Sequence, residues 1–470
     1  MSKLRMLYSS NSFWARSGYG VQGASLLPRL AELPEFGGTP GSEKGRGNIA
    51  GFFWYGLAGG TQNFNGFHCY PGVGDPYGND VIGAHMRDWG ANWLVSLIDV
   101  WVMNDTVNKV KPALWTPWLP IDHDPVPQRV LDCLAGAHLP LTYAKWGHKM
   151  LTDAGVANHY IPHGVEPTIY KVIPDRAKIA EFKRRLTGID NAHLSVMVSA
   201  NKGFPDRKWF QGQLRAWAEF AKDKPNARLY LHTEPTPMYG GLDLMGYAQM
   251  LGIREKTIFV DRYKNAMGYP PEYLSLVFNA ADVLLQVSMS EGFGIPLIEA
   301  QACGCPVITT NFSAMPELVR WGHLVDVQEM VLTPMMAFQA LPSARHMVQQ
   351  MQRLYESWEV CGGDWPISKR LQTSKAIHDE YDWDAIVRDQ WAPLVTRIAN
   401  EAPPLDTRFT VGGVEVPHPV QDDAQGFVDV LNEELRSRDI AQELRDDTER
   451  LAQAKPKRRV APLTPEAVTA

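Results

Sequence analysis

Two glutamates, Glu291 and Glu299, stand eight positions apart on either side of the start of a predicted helix. Between the preceding predicted strand and that helix lies the sequence EGFG, whose Gly292 and Gly294 would let backbone N–H groups approach a ligand freely. The N-terminus of a helix attracts a negative or polyhydroxylated group, and Pro296 in its first turn costs no hydrogen bond. Two carboxylate acceptors at this spacing fit opposite ends of a small polyol. For the tetrapeptide alone, a capping acid and a solvated glutamate are the simpler interpretation.

A second glycine-rich stretch, residues 18–23, reads GYGVQG and satisfies the G-x-G-x-x-G pattern of dinucleotide-binding folds. In those folds the first glycine directly follows a strand, and an acidic residue ends the next strand about 20 residues later. In this chain the nine residues from Ser9 to Ser17 separate the predicted strand from Gly18, and residues 37–47 form a predicted loop. This spacing disfavours a dinucleotide.

The elements that must position these residues alternate between short apolar runs and segments of helical period, a pattern typical of parallel sheets covered by helices. In the first half, strands are predicted at residues 4–8, 48–54, 93–99, 113–118, 140–143 and 159–162, and helices at 21–33, 80–89, 128–134 and 145–153. In the second half, strands are predicted at 194–200, 228–233, 257–260, 282–287 and 306–310, and a helix at 210–223. The sequence therefore predicts two α/β halves, and the segment 161–167, with its prolines and glycine, is the expected connection.

Composition restricts the classes of function. The 470 residues are 45% hydrophobic and carry a formal net charge of −6, so the chain can bury sizeable cores and has no global electrostatic reason to bind nucleic acid. No run approaches the roughly 18 apolar residues of a membrane span, and the N-terminus is too polar for a signal peptide. Five scattered cysteines build neither a disulfide framework nor a zinc site. We therefore expect a cytoplasmic protein without a metal centre or integral membrane contact.

The segment 288–319, SMSEGFGIPLIEAQACGCPVITTNFSAMPELV, closely resembles the Glu-x7-Glu signature of family 4 retaining glycosyltransferases. The likeness extends over roughly residues 1–400, and residues 161–166 (IPHGVE) are similar to the family's IPNGVD connection. The resemblance implies the GT-B fold, an α/β architecture in which two Rossmann-like doubly wound domains face a central cleft. The implied parts of the chain are an acceptor-side domain at 1–164, a nucleotide-sugar-binding domain at 165–380, a closing helix at 381–400 that crosses back to the first domain, and a C-terminal tail extension at 401–470.

The resemblance also assigns the donor substrate to particular residues. In the family, the first glutamate and the amides of the following Gly-Phe-Gly contact the transferred sugar. The residues that this implies for sugar contact are Glu291, Gly292, Phe293 and Gly294, and Ile295 completes this part of the predicted donor-binding set. The second glutamate of the family binds the ribose hydroxyls of the nucleotide, and Glu299 matches it.

A diphosphate needs cations, which the family supplies as an arginine and a lysine in the loop after the first strand of its second domain. In this chain that loop, residues 200–208, is longer than the usual pattern. Lys208 best matches the family lysine, whereas Lys202, Asn201 and Arg207 compete for the place of the arginine. A lysine near a strand end is otherwise an ordinary solvated residue, so the assignment depends on the surrounding motifs.

The glycine loop of the family offers another interpretation of residues 18–23. That loop lies over the phosphates of the donor, which implies Gly18 and Gly20 as binding residues with the N–H of Gly20 as the favoured contact. The stretch would then be a phosphate cradle rather than a dinucleotide fingerprint.

The group that acts on the acceptor is less directly indicated. The family commonly has a histidine in a Thr-x-His pattern after a mid-domain strand, but Trp118 occupies that place. Asp122 and His123 follow a few positions later, and either could orient the acceptor hydroxyl or take its proton; a turn-capping aspartate with an exposed histidine is the structural alternative. Asp99, at a predicted strand end, and His85, on a predicted helix, are further candidates. The predicted catalytic set is Asp122, His123, Glu291 and Lys208.

These assignments predict a retaining, metal-independent transfer of a sugar from a nucleotide-diphosphate sugar, with no other cofactor. The acceptor stays open among a glycan, a lipid, a protein and a modified nucleic acid. The nearest alternative is another GT-B enzyme, such as a nucleotide-sugar epimerase or an inverting transferase. A nucleotide-sugar-binding protein with a decayed site is the second alternative, suggested by the missing Thr-x-His pattern.

The tail at 401–470 lies outside the resemblance. An imperfect apolar stripe among charges predicts a helical segment at 423–454, suited to dock on the rest of the chain or to join two copies into a homo-oligomer. A solvated, partly helical tail is the plainer interpretation.

Overall fold

Two mainly parallel sheets organise the fold in a computed structural model of the chain. The described residues are 4–15, 17–203, 206–236, 240–405, 408–411 and 414–417. Residues 1–405 form one compact unit by their internal contacts, and residues 406–470 form another. The predicted helical segment at 423–454 lies outside the described residues, so its role in assembly stays a prediction.

The first sheet has eight strands. They are β1 (Met6–Asn11), β2 (Ile49–Tyr55), β3 (Gln62–Phe64), β4 (Phe67–Pro71), β5 (Trp93–Leu97), β6 (Leu114–Leu119), β7 (Leu141–Thr142) and β8 (His159–Tyr160). Their order is β3-β4-β2-β1-β5-β6-β7-β8, and every pair is parallel except β3 with β4. The connecting helices are α1 (Gly18–Ala31), α2 (Ile82–Trp89), α3 (Thr106–Val110), α4 (Gln128–Leu134) and α5 (Lys145–Asp153).

The second sheet has six strands, all parallel. They are β9 (His193–Val198), β10 (Ala227–His232), β11 (Thr257–Phe259), β12 (Val283–Gln286), β13 (Val307–Thr310) and β14 (Gly322–Val325). The connecting helices are α6 (Arg176–Thr187), α7 (Phe210–Phe220), α8 (Leu244–Met250), α9 (Arg262–Met267), α10 (Pro271–Ala280) and α11 (Ile295–Ala302). The order β11-β10-β9-β12-β13-β14 is the doubly wound 3-2-1-4-5-6 arrangement. The predicted pair of doubly wound α/β halves is thereby confirmed.

A hairpin joins the two halves. It consists of β15 (Val327–Leu332) and β16 (Phe338–Pro342), which pair in antiparallel fashion after the second sheet is complete. Two backbone hydrogen bonds connect it to the first half: the N–H of Asp124 donates to the carbonyl of Phe338 at 3.0 Å, and the N–H of Phe338 donates back at 2.8 Å. The hairpin thus pairs with the loop that follows β6.

The chain then returns to the first half. Helices α12 (Ala344–Val360) and α13 (Ile367–Tyr381) are followed by α14 (Trp383–Ile386), one π-helical turn, and α15 (Ala392–Glu401). In the π turn, the ring of Trp391 packs edge-on against Trp118 of β6, with 5.2 Å between the ring centroids. Asp384 pairs with Arg29 of α1 at 2.6 Å, and Glu401 pairs with His138 at 2.7 Å. The continuous helical segment from Trp383 to Glu401, called the returning helix below, therefore packs on the first half. The domain boundaries proposed at residues 164, 380 and 400 stay predictions.

Most elements agree with the sequence predictions to within a few residues, and the differences have local causes. Helix α1 begins at Gly18 rather than residue 21, because the hydroxyl of Ser17 accepts the N–H of Gly20 and caps the first turn. Strand β3 has only exposed side chains, so it carries no apolar signal. The hairpin β15–β16 was missed for a similar reason, since most of its first strand is exposed. In addition, none of the helices in the described residues is long and apolar enough to cross a membrane.

The returning helix supplies a stability test. Trp391 is fully buried, so Trp391→Ala removes a large apolar ring and leaves a cavity between the helix and β6. We expect the free energy of unfolding to fall by about 3–5 kcal/mol in urea titrations. The exposed Arg388 on the same helix is the matched control, and Arg388→Ala is expected to change the free energy by less than about 1 kcal/mol. A loss below about 1 kcal/mol for Trp391→Ala would contradict this account of the helix.

Candidate functional site

The candidate site lies where the order of the second sheet reverses, between β9 and β12. In doubly wound sheets, ligands bind at this switch point outside the carboxyl ends of the strands. The loop after β9 carries Arg207 and Lys208, and the loop after β12 carries Glu291. Sheet topology alone therefore brings together cationic and acidic residues that are more than 80 positions apart in the chain.

A tight turn presents the two cations. The N–H of Trp209 donates to the carbonyl of Asp206 at 2.8 Å, and Trp209 adopts a left-handed conformation (φ 52°) directly before α7. The carbonyl of Arg207 also accepts the N–H of Met289 at 2.9 Å, which ties this turn to the loop after β12. The backbone at Arg207 and Lys208 is thus held by hydrogen bonds of its own turn and of the neighbouring loop.

Glu291 is the acceptor that both cations share. Its carboxylate lies 2.6 Å from the ammonium of Lys208 and 3.4 Å from the guanidinium of Arg207, and it accepts the hydroxyl of Ser288 at 2.7 Å. Its N–H donates to the hydroxyl of Ser313 at 3.1 Å. Burial acts to raise the pKa of Glu291, but the charges of the two cations and the hydrogen bonds from Lys208 and Ser288 outweigh it and lower the pKa to about 2. The Glu291 side chain is 8% exposed and that of Arg207 is 39% exposed, so the arginine remains accessible to a ligand.

The first half of the chain contributes an aspartate–histidine pair to the same site. The carboxylate of Asp122 lies 2.7 Å from Nδ1 of His123 and 3.7 Å from the guanidinium of Arg207. Burial acts to raise the pKa of Asp122, but the hydrogen bond from His123 and the charge of Arg207 outweigh it, so the pKa lies below its ordinary value. Asp99, which follows β5, behaves oppositely, because burial and the charge of Asp122 raise its pKa to about 6. The charge of Arg207 thus acts on two carboxyl groups with different pKa values.

The glycines of the EGFG loop are fixed by close packing. A Cβ on Gly292 would lie 2.5 Å from Cβ of Pro120, so this residue allows the second half to approach the first. Gly294 has φ 118°, a conformation that favours glycine, directly before α11. The ring of Phe293 is buried against Tyr143, so its side chain belongs to the core and only its backbone is available to a ligand.

The glycine motif near the N-terminus differs partly from its prediction. A Cβ on Gly18 would lie 3.1 Å from the side chain of Ile295, so the motif does face the start of α11. The N–H of Gly20, however, donates to the hydroxyl of Ser17 at 3.2 Å, because Gly20 is the third residue of α1, where a capping side chain binds. The favoured phosphate contact therefore already has a partner.

Glu299 lies inside the second half, on α11. It is 7% exposed, and the hydroxyl of Tyr170 is hydrogen-bonded to its carboxyl group. Burial raises the pKa of Glu299 to about 7, with the tyrosine opposing the shift.

Lys202 is exposed, and Asn201 is buried with its side-chain amide donating to the carbonyls of Glu234 and Leu242. Of the competitors for the arginine's place, only Arg207 contacts Glu291 among the described residues.

Several residues near the site escaped the sequence analysis. Ser313 supports the backbone of Glu291 from a left-handed conformation (φ 53°), and the hydroxyls of Tyr19 and Tyr143 lie 3.3 Å apart. None of these residues stands in a pattern that signals chemistry, since only the fold brings them close.

Trp118 and His85 have other partners than the aspartate–histidine pair. Trp118 is buried and donates to the carbonyl of Ile161, and His85 stacks on Tyr70. Within the described part of the chain, no group of three or more His, Cys, Asp or Glu side chains could hold a metal ion.

Part of this region is similar to known transferases. Residues 204–330 match the family described as Glycosyl transferases group 1. The chain is 36% identical over 119 residues to the D-inositol 3-phosphate glycosyltransferase of Segniliparus rotundus, and 30% identical over 183 residues to that of Rhodococcus erythropolis. These stretches cover 24% and 37% of this chain but only 25% and 39% of the two relatives, so the chain spans less than half the length of the curated relatives it matches.

Solved structures resemble the chain over most of its length. Sucrose-phosphate synthase from Thermosynechococcus elongatus has a TM-score of 0.63 at 16% identity and covers 84% of this chain and 99% of its own. Anabaena HepE in complex with UDP-glucose has a TM-score of 0.59 at 13% identity, covering 85% of this chain and 100% of its own. At these identities the likeness concerns the fold alone, and it shows that the described unit at 1–405 has the GT-B fold.

Glu299 supplies a pH-dependent test of the site. Its folded-state pKa of about 7 lies above the ordinary value of 4.5, so the unfolded chain releases this proton first and stability falls as the pH rises from 4.5 to 7. Glu299→Gln keeps a side-chain oxygen that can accept the hydroxyl of Tyr170, and it removes the ionisable group, so this loss of stability with rising pH disappears. Relative to the parent chain, we expect the variant to gain up to about 3 kcal/mol of unfolding free energy between pH 4.5 and 8, measured by urea titration. The exposed Glu356→Gln is the control, and a pH-independent difference for Glu299→Gln would contradict the raised pKa.

Proposed function

We propose that this chain is a glycosyltransferase that moves a sugar from a nucleotide-diphosphate sugar to an acceptor, with retention of the anomeric configuration and without a metal ion. The observation that carries the proposal is the pair of cations, Arg207 and Lys208, held by Glu291 at the switch point of the second sheet. The family match at 204–330 spans this site. The five cysteines, free of disulfides, support a reducing compartment such as the cytoplasm.

The cations account for the metal-free departure of the nucleoside diphosphate. Breaking the bond at the anomeric carbon places positive charge on the sugar and negative charge on the diphosphate. Arg207 and Lys208 supply two positive charges at the switch point, and the guanidinium of Arg207 is 39% exposed, so it can contact a diphosphate. Because negative charge grows as the bond breaks, these cations stabilise the transition state more than the bound donor. The N-terminus of α11, beginning at Ile295, adds a favourable dipole.

Glu291 and Glu299 have different tasks in this proposal. Glu291 is ionised and tied to Lys208 and Arg207, so it positions the loop and the cations and accepts hydroxyl hydrogen bonds from the sugar. It need not form a covalent intermediate. Glu299, beside Tyr170 on α11, is the proposed acceptor of the ribose hydroxyls.

Asp122 and His123 act on the acceptor side. The pair comes from the first half, and its Asp122 lies 3.7 Å from Arg207, so it borders the space where the diphosphate would lie. An acceptor hydroxyl that donates to Asp122 or His123 would be directed toward the anomeric carbon and lose its proton as the new bond forms.

Replacing the proposed diphosphate lysine tests the donor site. Lys208→Ala removes one of the two cations that are proposed to bind the diphosphate. We expect kcat/KM for the nucleotide sugar to fall about 100-fold to 1000-fold, because the negative charge on the departing diphosphate loses this partner. The donor is first identified by a thermal-shift screen of UDP-, GDP- and ADP-sugars, in which a bound ligand raises the melting temperature. Lys222→Ala, an exposed lysine of the same half, is the control. Donor kinetics close to those of the parent chain for Lys208→Ala would remove the assignment.

One NMR experiment tests retention and metal independence together. The transfer reaction is followed by NMR with excess EDTA, and we expect undiminished turnover and a product with the anomeric configuration of the donor. Loss of turnover that added Mg²⁺ or Mn²⁺ restores would contradict the metal-free mechanism. The opposite anomer would identify an inverting transferase, and a free epimerised sugar nucleotide would identify an epimerase. Tight nucleotide binding without any turnover would identify a binding protein.

A further inference from the structure

Two tyrosine hydroxyls meet beside the EGFG loop, and neither takes part in the mechanism proposed above. Tyr19 is the second residue of α1, and Tyr143 directly follows β7. Their hydroxyl oxygens lie 3.3 Å apart. Neither hydroxyl has another hydrogen bond within the part of the chain that the structure describes. One shared hydrogen bond uses one of the two protons, so the pair keeps a second proton that a ligand can accept.

The pair spans the loop that leads into α11. A Cβ on Gly18 would lie 3.1 Å from Cδ1 of Ile295, at the end of this loop. A Cβ on Gly292 would lie 3.3 Å from Cε2 of Tyr143, near the start of the loop. The side chain of Tyr19 runs from the first of these contacts to the second, because Tyr19 follows Gly18 in the chain and its hydroxyl reaches Tyr143. It therefore lies across the segment whose backbone N–H groups are proposed to contact the donor.

The ring of Tyr143 is a fixed anchor for this hydroxyl pair. It stacks on His163 with 4.1 Å between the ring centroids and meets Phe293 edge-on at 6.1 Å. Tyr143 is buried, whereas Tyr19 is only half-buried and thus reaches toward the cleft. The hydroxyl of Tyr19 is therefore positioned before a ligand binds. A hydrogen-bond donor that is preorganised in this way needs no rearrangement during a reaction.

The charged groups of the site act on the hydroxyl of Tyr19. Burial and then the charge of Asp99 raise the pKa of Tyr19 well above its ordinary value, and Asp122 adds to this effect. The hydrogen bond with Tyr143 and the charge of Arg207 oppose the shift without cancelling it. The hydroxyl thus lies within electrostatic range of the exposed cation of the proposed diphosphate site, and it stays protonated at physiological pH.

We propose that the hydroxyl of Tyr19 donates a hydrogen bond to the sugar-bearing phosphate of the donor and that Tyr143 holds it in place. The inference rests on the proposed transferase function and adds a residue of the first half to the donor site. Arg207 is proposed to bind the diphosphate and the EGFG loop to bind the sugar, so a hydroxyl beside both faces the phosphate that links them. When the bond between the sugar and this phosphate breaks, the electron pair stays on the phosphate oxygen. The hydroxyl shares its proton with that growing charge and does not transfer it.

Tyr19→Phe tests the contact, because it removes the hydroxyl and keeps the ring. Binding of the nucleoside diphosphate and the nucleoside monophosphate of the base found in the thermal-shift screen is measured by isothermal titration calorimetry. Only the diphosphate carries the phosphate assigned to Tyr19. We expect its affinity to fall about 10-fold to 100-fold, as for a hydrogen bond to a charged group, and the affinity of the monophosphate to change less than about twofold. We also expect kcat for sugar transfer to fall at least about 10-fold.

Two further variants separate the contact from its support. Tyr143→Phe removes the anchor and leaves the hydroxyl of Tyr19, so we expect a smaller loss of diphosphate affinity. Tyr77→Phe, at an exposed tyrosine of the same half, should leave both affinities unchanged. A greater loss in Tyr143→Phe than in Tyr19→Phe would overturn the proposal, because the phosphate contact would then belong to Tyr143.

The ratio of the two affinities decides the outcome even where a variant is less stable, because partial unfolding lowers both affinities alike. An unchanged ratio in Tyr19→Phe would overturn the proposal and leave the hydroxyl to the carboxylates of Asp99 and Asp122. The parent chain reports on the proposed function in the same experiment. If it binds no nucleoside diphosphate, the donor site itself fails and this inference fails with it. If it binds the diphosphate and Tyr19→Phe binds it equally well, only this inference fails.

Discussion

The ion pair between Glu291 and Lys208 is the interaction on which the site depends. It joins the loop after β12 to the loop after β9, so it connects the two strands at the switch point of the second sheet. A buried carboxylate without a partner is costly, and removing one partner of such a pair typically destabilises a protein by about 3–5 kcal/mol. Arg207, Ser288 and Ser313 complete the partners of Glu291. The same contacts that satisfy the buried acid therefore hold the two cations of the proposed diphosphate site.

The cleft depends equally on how closely the two halves approach each other. Gly292 has no side chain, and this allows the EGFG loop to touch Pro120 of the first half. Nearby, Arg207 approaches Asp122, and the β15–β16 hairpin exchanges two backbone hydrogen bonds with Asp124. Residues of both halves thus share one continuous set of contacts around the proposed reaction centre. A donor bound to the second half and an acceptor bound to the first would meet where these contacts lie.

The structure also separates two ways in which acidic residues are used. Glu291 and Asp122 have lowered pKa values because cations or a histidine face them, while Asp99 and Glu299 have raised values because burial dominates. Groups of the first kind remain charged and can position cations or hydroxyls at any physiological pH. Groups of the second kind titrate near neutrality, so their interactions with a ligand depend on pH.

Local sequence patterns are enough to predict the alternation of strands and helices and the EGFG loop before α11, since buried parallel strands and glycine turns are local signals. The sequence also predicted Lys208 near the end of the loop after β9, where the structure puts its ammonium 2.6 Å from Glu291. It could not decide between Lys202 and Arg207, because the choice depends on which side chain the turn before α7 aims at Glu291. The capping of Gly20 by Ser17, the hairpin across the cleft and the approach of Arg207 to Asp122 have no such local signal. The physical reason is that each requires groups remote in sequence, or a particular backbone turn, to meet within hydrogen-bonding distance.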